Sequence, residues 1–140
     1  ANGIIGRYDQ YNHEESELIV TCRGATCGEV HETKPYSWIT GNAMVVRPKN
    51  RNIQKQFIGN YFRFDGLKSV VSGSAQPQIT RSGFSLFIIK FPKIKEQKKI
   101  AECLSSIDET IAAQEQKIEE LKEHKKGLLQ QLFPNPEEIQ

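Results

Sequence analysis

The side chains that could do chemistry in this 140-residue sequence are donors suited to binding, not groups suited to catalysis. His13, His31 and His124 are scattered, and no carboxylate pair shares an apolar setting. There is no GxxxxGK[ST] loop, no HExxH and no GxSxG, so a phosphate cradle, a zinc-protease helix and a nucleophile elbow all lack their residues. Cys22, Cys27 and Cys103 are odd in number, form no C-x-x-C, and have no His at zinc-ligand spacing. They read as reduced structural thiols of a cytosolic protein. What remains is three stretches rich in forked, amide or hydroxyl donors. Arg23-Gly24 sets a guanidinium beside a flexible backbone, and such a fork grips guanine O6 and N7 or a phosphate. Lys34 to Asn42 joins a cation to Tyr36, Ser37, Trp38, Thr40 and Asn42. Ser72 to Gln78 holds Ser72, Ser74, Gln76 and Gln78; Gln suits adenine N6 and N7, and Ser suits phosphate. Each also has a plainer reading. Arg23 fits as an ordinary hairpin residue, Gln76 as the holder of its own loop, and Trp38 as core in preference to a base-stacking platform.

Positioning these groups requires a small mixed domain. Residues 1–16 lack periodicity and read as an irregular entry. Glu17–Cys22 is β-branched and apolar, a buried strand, and after the turn Arg23-Gly24-Ala25-Thr26 the run Cys27–Glu32 returns as a hairpin partner. Ala43–Arg47 is a further core strand, closed by Pro48. From Asn52 to Phe64 the spacing of Ile53, Phe57, Ile58, Tyr61 and Phe62 changes to that of an amphipathic helix. Asp65 is placed to cap a second short helix over Gly66–Ser72. Ser72–Gln78 is then an exposed loop, 79–83 a connector, and Phe84–Phe91 (FSLFIIKF) a closing strand ended by Pro92.

Glu96 to Leu132 reads as one uninterrupted helix, ~55 Å long at ~1.5 Å per residue. Ile100, Leu104, Ile107, Ile111, Gln114, Ile118, Leu121, Lys125, Leu128 and Leu132 follow each other at alternating steps of four and three. That is a coiled-coil seam with d at Ile100 and a at Leu104, and Gln114 and Lys125 are polar seam residues of the kind that fix register. So narrow a stripe needs a second helix, and the sequence holds no other of comparable length. The partner is expected from another copy or from a further part of the parent protein; the alternative is that the helix packs along its own domain. The fold class is α+β: a small domain over 1–95, a pairing helix over 96–133 and a flexible tail over 134–140.

Charge separates along the same boundary. Residues 1–95 hold 13 Lys or Arg and 7 Asp or Glu, a balance of +6, while the helix is mildly acidic. A basic domain suits an anionic partner, most simply nucleic acid. No apolar run approaches ~18 residues and no signal peptide is visible, so no membrane span is expected and the location is read as cytoplasmic. Opening at Ala1 in loop-like sequence, the chain reads as a piece of something longer.

Two stretches together carry a resemblance. One is Gly73-Ser74-Ala75-Gln76-Pro77-Gln78-Ile79 followed, past Pro92, by Glu96-Gln97-Lys98-Lys99-Ile100-Ala101. The other is Ile118-Glu119-Glu120-Leu121-Lys122 through Lys125-Lys126-Gly127-Leu128-Leu129-Gln130-Gln131-Leu132-Phe133. Over residues 17–133 the chain resembles the specificity subunits of Type I restriction–modification systems. Arg23-Gly24-Ala25 with Cys27-Gly28, and Gly41-Asn42 before a strand, also look like that family's target recognition domain. The resemblance implies a non-catalytic subunit in which each recognition domain reads one half of a split sequence in double-stranded DNA. It implies long helices that pair antiparallel as a spacer, and methyltransferase and restriction subunits that use S-adenosylmethionine, ATP and Mg. No cofactor is then bound by this chain itself. The sequence departs from the family by holding one recognition-and-helix unit where two are usual, and by lacking the usual start of the recognition domain. The candidates for DNA contact are Arg23, Lys34, Tyr36, Ser37, Thr40, Asn42, Ser72, Ser74, Gln76 and Gln78. A homodimer, or pairing with the other half of the subunit, is expected through the seam. A scaffolding module with a basic protein-binding domain is the competing reading, and a methyltransferase lacks a cofactor loop.

Overall fold

The computed structural model describes residues 4–133. The β-branched run of the sequence becomes the central strand, β1 (Leu18–Thr21), flanked by β2 (Val30–Glu32) and β3 (Ala43–Val45) in the order β2-β1-β3, all antiparallel. Register sets Ile19 opposite His31 on one side and Val45 on the other. Alternation along β1 sends Leu18 and Val20 to one face, where both are buried. There they meet Val30, Ile58 and Phe62, with Leu67 and Ile79 completing the core.

Helix α1 (Lys55–Asp65) lays Phe57, Ile58 and Phe62 on this face. Gly59 lets it come close: a Cβ there would stand 3.1 Å from Leu18 Cδ1. The helix ends at Gly66, whose left-handed backbone (φ 75°) returns its N–H to the Phe62 carbonyl at 2.8 Å. Leu67 follows with φ 51°, a conformation that costs a branched residue about 1 kcal/mol or more. The side chain is completely buried, and burying a Leu is worth about 2–3 kcal/mol, so packing outweighs the backbone cost.

Two expectations fail next. The second short helix is only a one-turn 3-10 helix (Lys68–Val70), and Asp65 does not cap it: the capping position is Leu67, with no side-chain bond, and Asp65 is the last residue of α1. The closing strand Phe84–Phe91 is absent. Instead Thr80 Oγ1 accepts the Gly83 N–H and caps a short helix α2 (Arg81–Ser85), and residues 87–93 have no regular structure. A strand exists only against a partner strand, and no described strand lies beside this segment. Ile79, expected in a connector, is core at 4 % exposure.

Helix α3 (Ile94–Leu132) starts two residues before the expected helix. Its first turns belong to the domain: the chain divides into a compact unit ending at Ala101 and a second beginning at Glu102. Gln97 is the fixing point. It is 1 % exposed, accepts the Gln54 N–H through Oε1 at 2.9 Å, and donates through Nε2 to the carbonyls of Asn52 (3.0 Å) and Pro92 (2.8 Å). Along the rest of α3 the apolar residues are exposed, Leu104, Ile107, Ile111, Ile118, Leu121, Leu128 and Leu132 among them. Ile100 is half-buried, and the polar seam residues Gln114 and Lys125 are exposed. The expected tail 134–140 lies outside the described residues.

Candidate nucleic-acid interface

The Arg23 turn, the Asn42 end of the second stretch and the Ser72–Gln78 loop converge at the turn end of the β1–β2 hairpin. Cys22, just past β1, donates its N–H to Asn42 O (2.7 Å) and accepts the Ile79 N–H at its carbonyl (2.9 Å). Asn42, Arg23 and Gln78 are thereby drawn to one edge, and Arg23 and Gln78 face each other across an antiparallel bridge. Gly24 N–H, on a backbone of φ 86°, reaches the Pro77 carbonyl at 3.1 Å. Gly28, with φ 95°, supplies the second left-handed backbone of this turn and returns its N–H to Thr21 O at 2.8 Å.

The loop after Ser72 is closed by its own backbone. Ser72 and Gln78 exchange N–H···O bonds of 2.8 Å in both directions, and Ser72 Oγ adds a third to Gln78 O at 3.2 Å. Between them stand Gly73, Ser74, Ala75, Gln76 and Pro77. Gly73 has φ +86°, and a Cβ there would lie 2.5 Å from Gln76 O, so no other residue fits without moving the loop. Ser72, Ser74, Gln76 and Gln78 are all exposed, as are Arg23 and Asn42. Thr40, half-buried, closes the turn into β3 by accepting the Ala43 N–H at its carbonyl.

Lys34, Tyr36 and Ser37 go elsewhere. They follow β2 at its far end, where Thr33 N–H reaches Glu17 O, and are tied to the entry segment. Ser37 exchanges backbone bonds with His13, Tyr36 N–H reaches Glu14 O, and Ser37 Oγ donates to Lys34 O. The Asn12 amide clamps both backbone groups of Ile39. Tyr36 packs edge-to-face on Tyr11, and Trp38 on Tyr8. Trp38 is 49 % exposed, so the core reading of this residue is wrong: its ring finds an aromatic neighbour from the entry segment and not the interior. Sequence reasoning had no means to see this pairing, since residues 8–13 carry no periodicity. It also passed over Lys68, exposed two residues beyond the Gly66 turn that adjoins Gly28.

Ionisable groups within the domain brace it. Arg47 donates to both carboxylate oxygens of buried Glu17, and Lys55 pairs with Glu32 at 3.0 Å. The Arg47 guanidinium holds the Glu17 carboxyl below its ordinary value against the opposing effect of burial. Burial pushes the Cys22 thiol up, as expected of an inert core cysteine. Cys103, by contrast, is exposed on α3 and is not part of a core. Among the described residues no group of three or more His, Cys, Asp or Glu is placed to hold a metal, and no helix is long and apolar enough to cross a membrane.

Residues 1–123 match the family described as the Type I restriction modification DNA specificity domain. The chain belongs to this family. This specificity domain is similar to the Type I restriction enzyme MjaVIII specificity subunit of Methanocaldococcus jannaschii, with 29 % identity over 94 % of this chain and 32 % of that protein. It is also similar to a protein of the same organism named for the MjaX type I restriction enzyme, with 28 % identity over 74 % of this chain and 26 % of that protein. The specificity domain spans about a third or less of the length of these relatives. The matched region takes in the whole hairpin-end cluster and most of α3.

Proposed function

We propose that this chain reads one half-site of a split sequence in double-stranded DNA, as the non-catalytic specificity component of a Type I restriction–modification complex. The observation that carries the reading is the meeting of Arg23, Asn42, Ser72 and Gln78, with the Ser74–Gln76 tip, at one end of a basic domain of this family. Such an end offers a guanidinium and several amides for base edges, and hydroxyls for phosphate. Lys34, Tyr36 and Ser37, at the far end of β2, are proposed as backbone contacts outside the reading cluster. Residues 96–133 serve as spacer and as the assembly element for methyltransferase and restriction subunits, which supply S-adenosylmethionine, ATP and Mg chemistry. The compartment is cytoplasmic.

The test is selection of bound duplexes from a random pool, followed by titration of the winner against a scrambled duplex at several salt concentrations. The expected result is a sequence preference that Arg23→Ala and Gln76→Ala relax, with affinity falling steeply as salt rises. Salt-dependent binding with no preference among duplexes refutes half-site reading and favours a generic basic surface.

The exposed seam from Leu104 to Leu132 supports self-association, or pairing with a second such helix, because seven large apolar side chains at heptad spacing stand in solvent. Light scattering should give a dimer for this chain and a monomer for Ile111→Asp/Ile118→Asp. A monomer in both cases removes the homodimer and leaves the helix of another subunit as the partner.

A further inference from the structure

We infer that Leu86–Phe91 is an open strand position that receives an extended, acidic segment of a partner protein as an added β-strand. The run LFIIKF has the composition of a strand, yet makes none. Its burial nevertheless alternates residue by residue, as in a strand: Phe87 and Ile89 are half-buried against the core, while Leu86, Ile88 and Lys90 face outward. The inner row is already anchored. Phe87 packs against the rings of Tyr61, Phe62 and Phe84, so the segment is held in place before any partner arrives.

The outer row and the backbone are what is left over. Leu86 and Ile88 are 78 % and 86 % exposed, far beyond what a scattered surface residue needs. Among the described residues, no N–H or C=O of Ile88, Ile89, Lys90 or Phe91 makes a hydrogen bond. A line of unpaired donors and acceptors beside an apolar row is the template for strand addition. Alongside lies an open surface depression of about 640 Å³, lined by Val71, Thr80, Ser82, Leu86 and Ile88 among others, beside which the added strand would run.

Charge selects the occupant. From 66 to 95 the sequence carries Lys68, Arg81, Lys90, Lys93 and Lys95 and not one Asp or Glu. On the outward row an added strand would set apolar residues opposite Leu86 and Ile88 and an acid opposite Lys90. Duplex DNA would use the cations but not the backbone edge or the apolar row. A second copy would pair the edge but bring two such cationic segments together with no acid to offset them.

Random decapeptides displayed on phage can be selected against the full chain and counter-selected against Leu86→Lys/Ile88→Lys. Both positions are exposed, and a circular dichroism melt checks that the variant folds. The expected peptides carry two apolar residues and an acid at successive alternate positions. In fluorescence anisotropy they should lose about tenfold or more in affinity when alternate amides on one edge are N-methylated, and little when the other edge is methylated. Their binding should slow amide exchange at Ile88–Lys90. The proposal is overturned if no peptide prefers the wild type, if both methylation patterns act alike, or if duplex DNA alone protects those amides. A dimer that Leu86→Lys/Ile88→Lys dissolves and Ile111→Asp/Ile118→Asp does not would make a second copy the occupant, and the proposal would equally fall.

Discussion

Replacing Gln97 should loosen the whole start of α3. The amide satisfies three backbone groups at once: Gln54 N–H, Asn52 C=O and Pro92 C=O. Each is a modest bond, but the site is closed to solvent, and a buried group left unpaired costs about 1–3 kcal/mol. Gln97→Ala strips all three, so a loss of about 3 kcal/mol or more is expected in urea denaturation followed through the single tryptophan, Trp38. Gln97→Glu is the sharper probe. It keeps the acceptor for Gln54 but turns a carboxylate oxygen toward two carbonyls, so at neutral pH it should cost more than Ala. A carboxyl in that setting has its folded pKa raised above the unfolded value, because only the protonated form can donate to a carbonyl. The variant's stability is therefore fully present below the unfolded pKa and lost as pH rises through the folded one. If both variants lose less than about 1 kcal/mol, or if acidification does not rescue Glu, then the amide bonds do not hold the helix start and the reasoning fails.

Gly73→Ala should break the Ser72–Gln78 closure, at about 1–2 kcal/mol for the backbone alone plus the clash with Gln76 O, seen as lost amide protection at Ser72 and Gln78 while the core stays folded. Leu67→Ala empties a completely buried site and should lose about 2–5 kcal/mol in the same urea assay; Leu67→Gly, which alone relieves the left-handed backbone, should recover none of the packing. Glu17 has its pKa held below the ordinary 4.5 by the Arg47 hydrogen bonds, so its contribution is present above the unfolded value and is lost as pH falls through the folded one. Glu17→Gln should flatten that part of the acid limb in a pH series of thermal melts, and an unchanged limb would remove the pair from the account.

Helix α1 and the body of α3 were legible because each carries its own periodicity, and strands β1 and β3 because they are apolar runs bounded by turn residues, although β3 is half-buried and not core. The hairpin was legible because two β-rich runs flank a Gly-bearing turn. Phe84–Phe91 misled because residue types report a fit to an extended, half-buried surface, whereas a strand also needs hydrogen-bonded neighbours, which composition does not supply. Asp65 misled for a similar reason: the chain spends it inside α1 and gives the turn to Gly66 and a strained Leu67. At the site, Arg23, Asn42, Ser72 and Gln78 were each visible as donors, but their meeting depends on Cys22 bonding to both Asn42 and Ile79, a long-range event. Tyr36 and Trp38 lie on the entry segment, packed on Tyr11 and Tyr8 and held by the backbone bonds of Tyr36 and Ser37 to Glu14 and His13, in a segment whose sequence announces no structure.

The closure of the 72–78 loop has a consequence for how its surface can change. The bonds that shape it come from main-chain groups, the Ser72 hydroxyl and the conformation of Gly73, and none comes from the side chains of Ser74, Ala75 or Gln76. Those three positions are therefore a cassette whose contents can be exchanged while its frame stays put. A library randomised there should yield folded members almost without exception, each presenting a different chemical face from the same fixed mount.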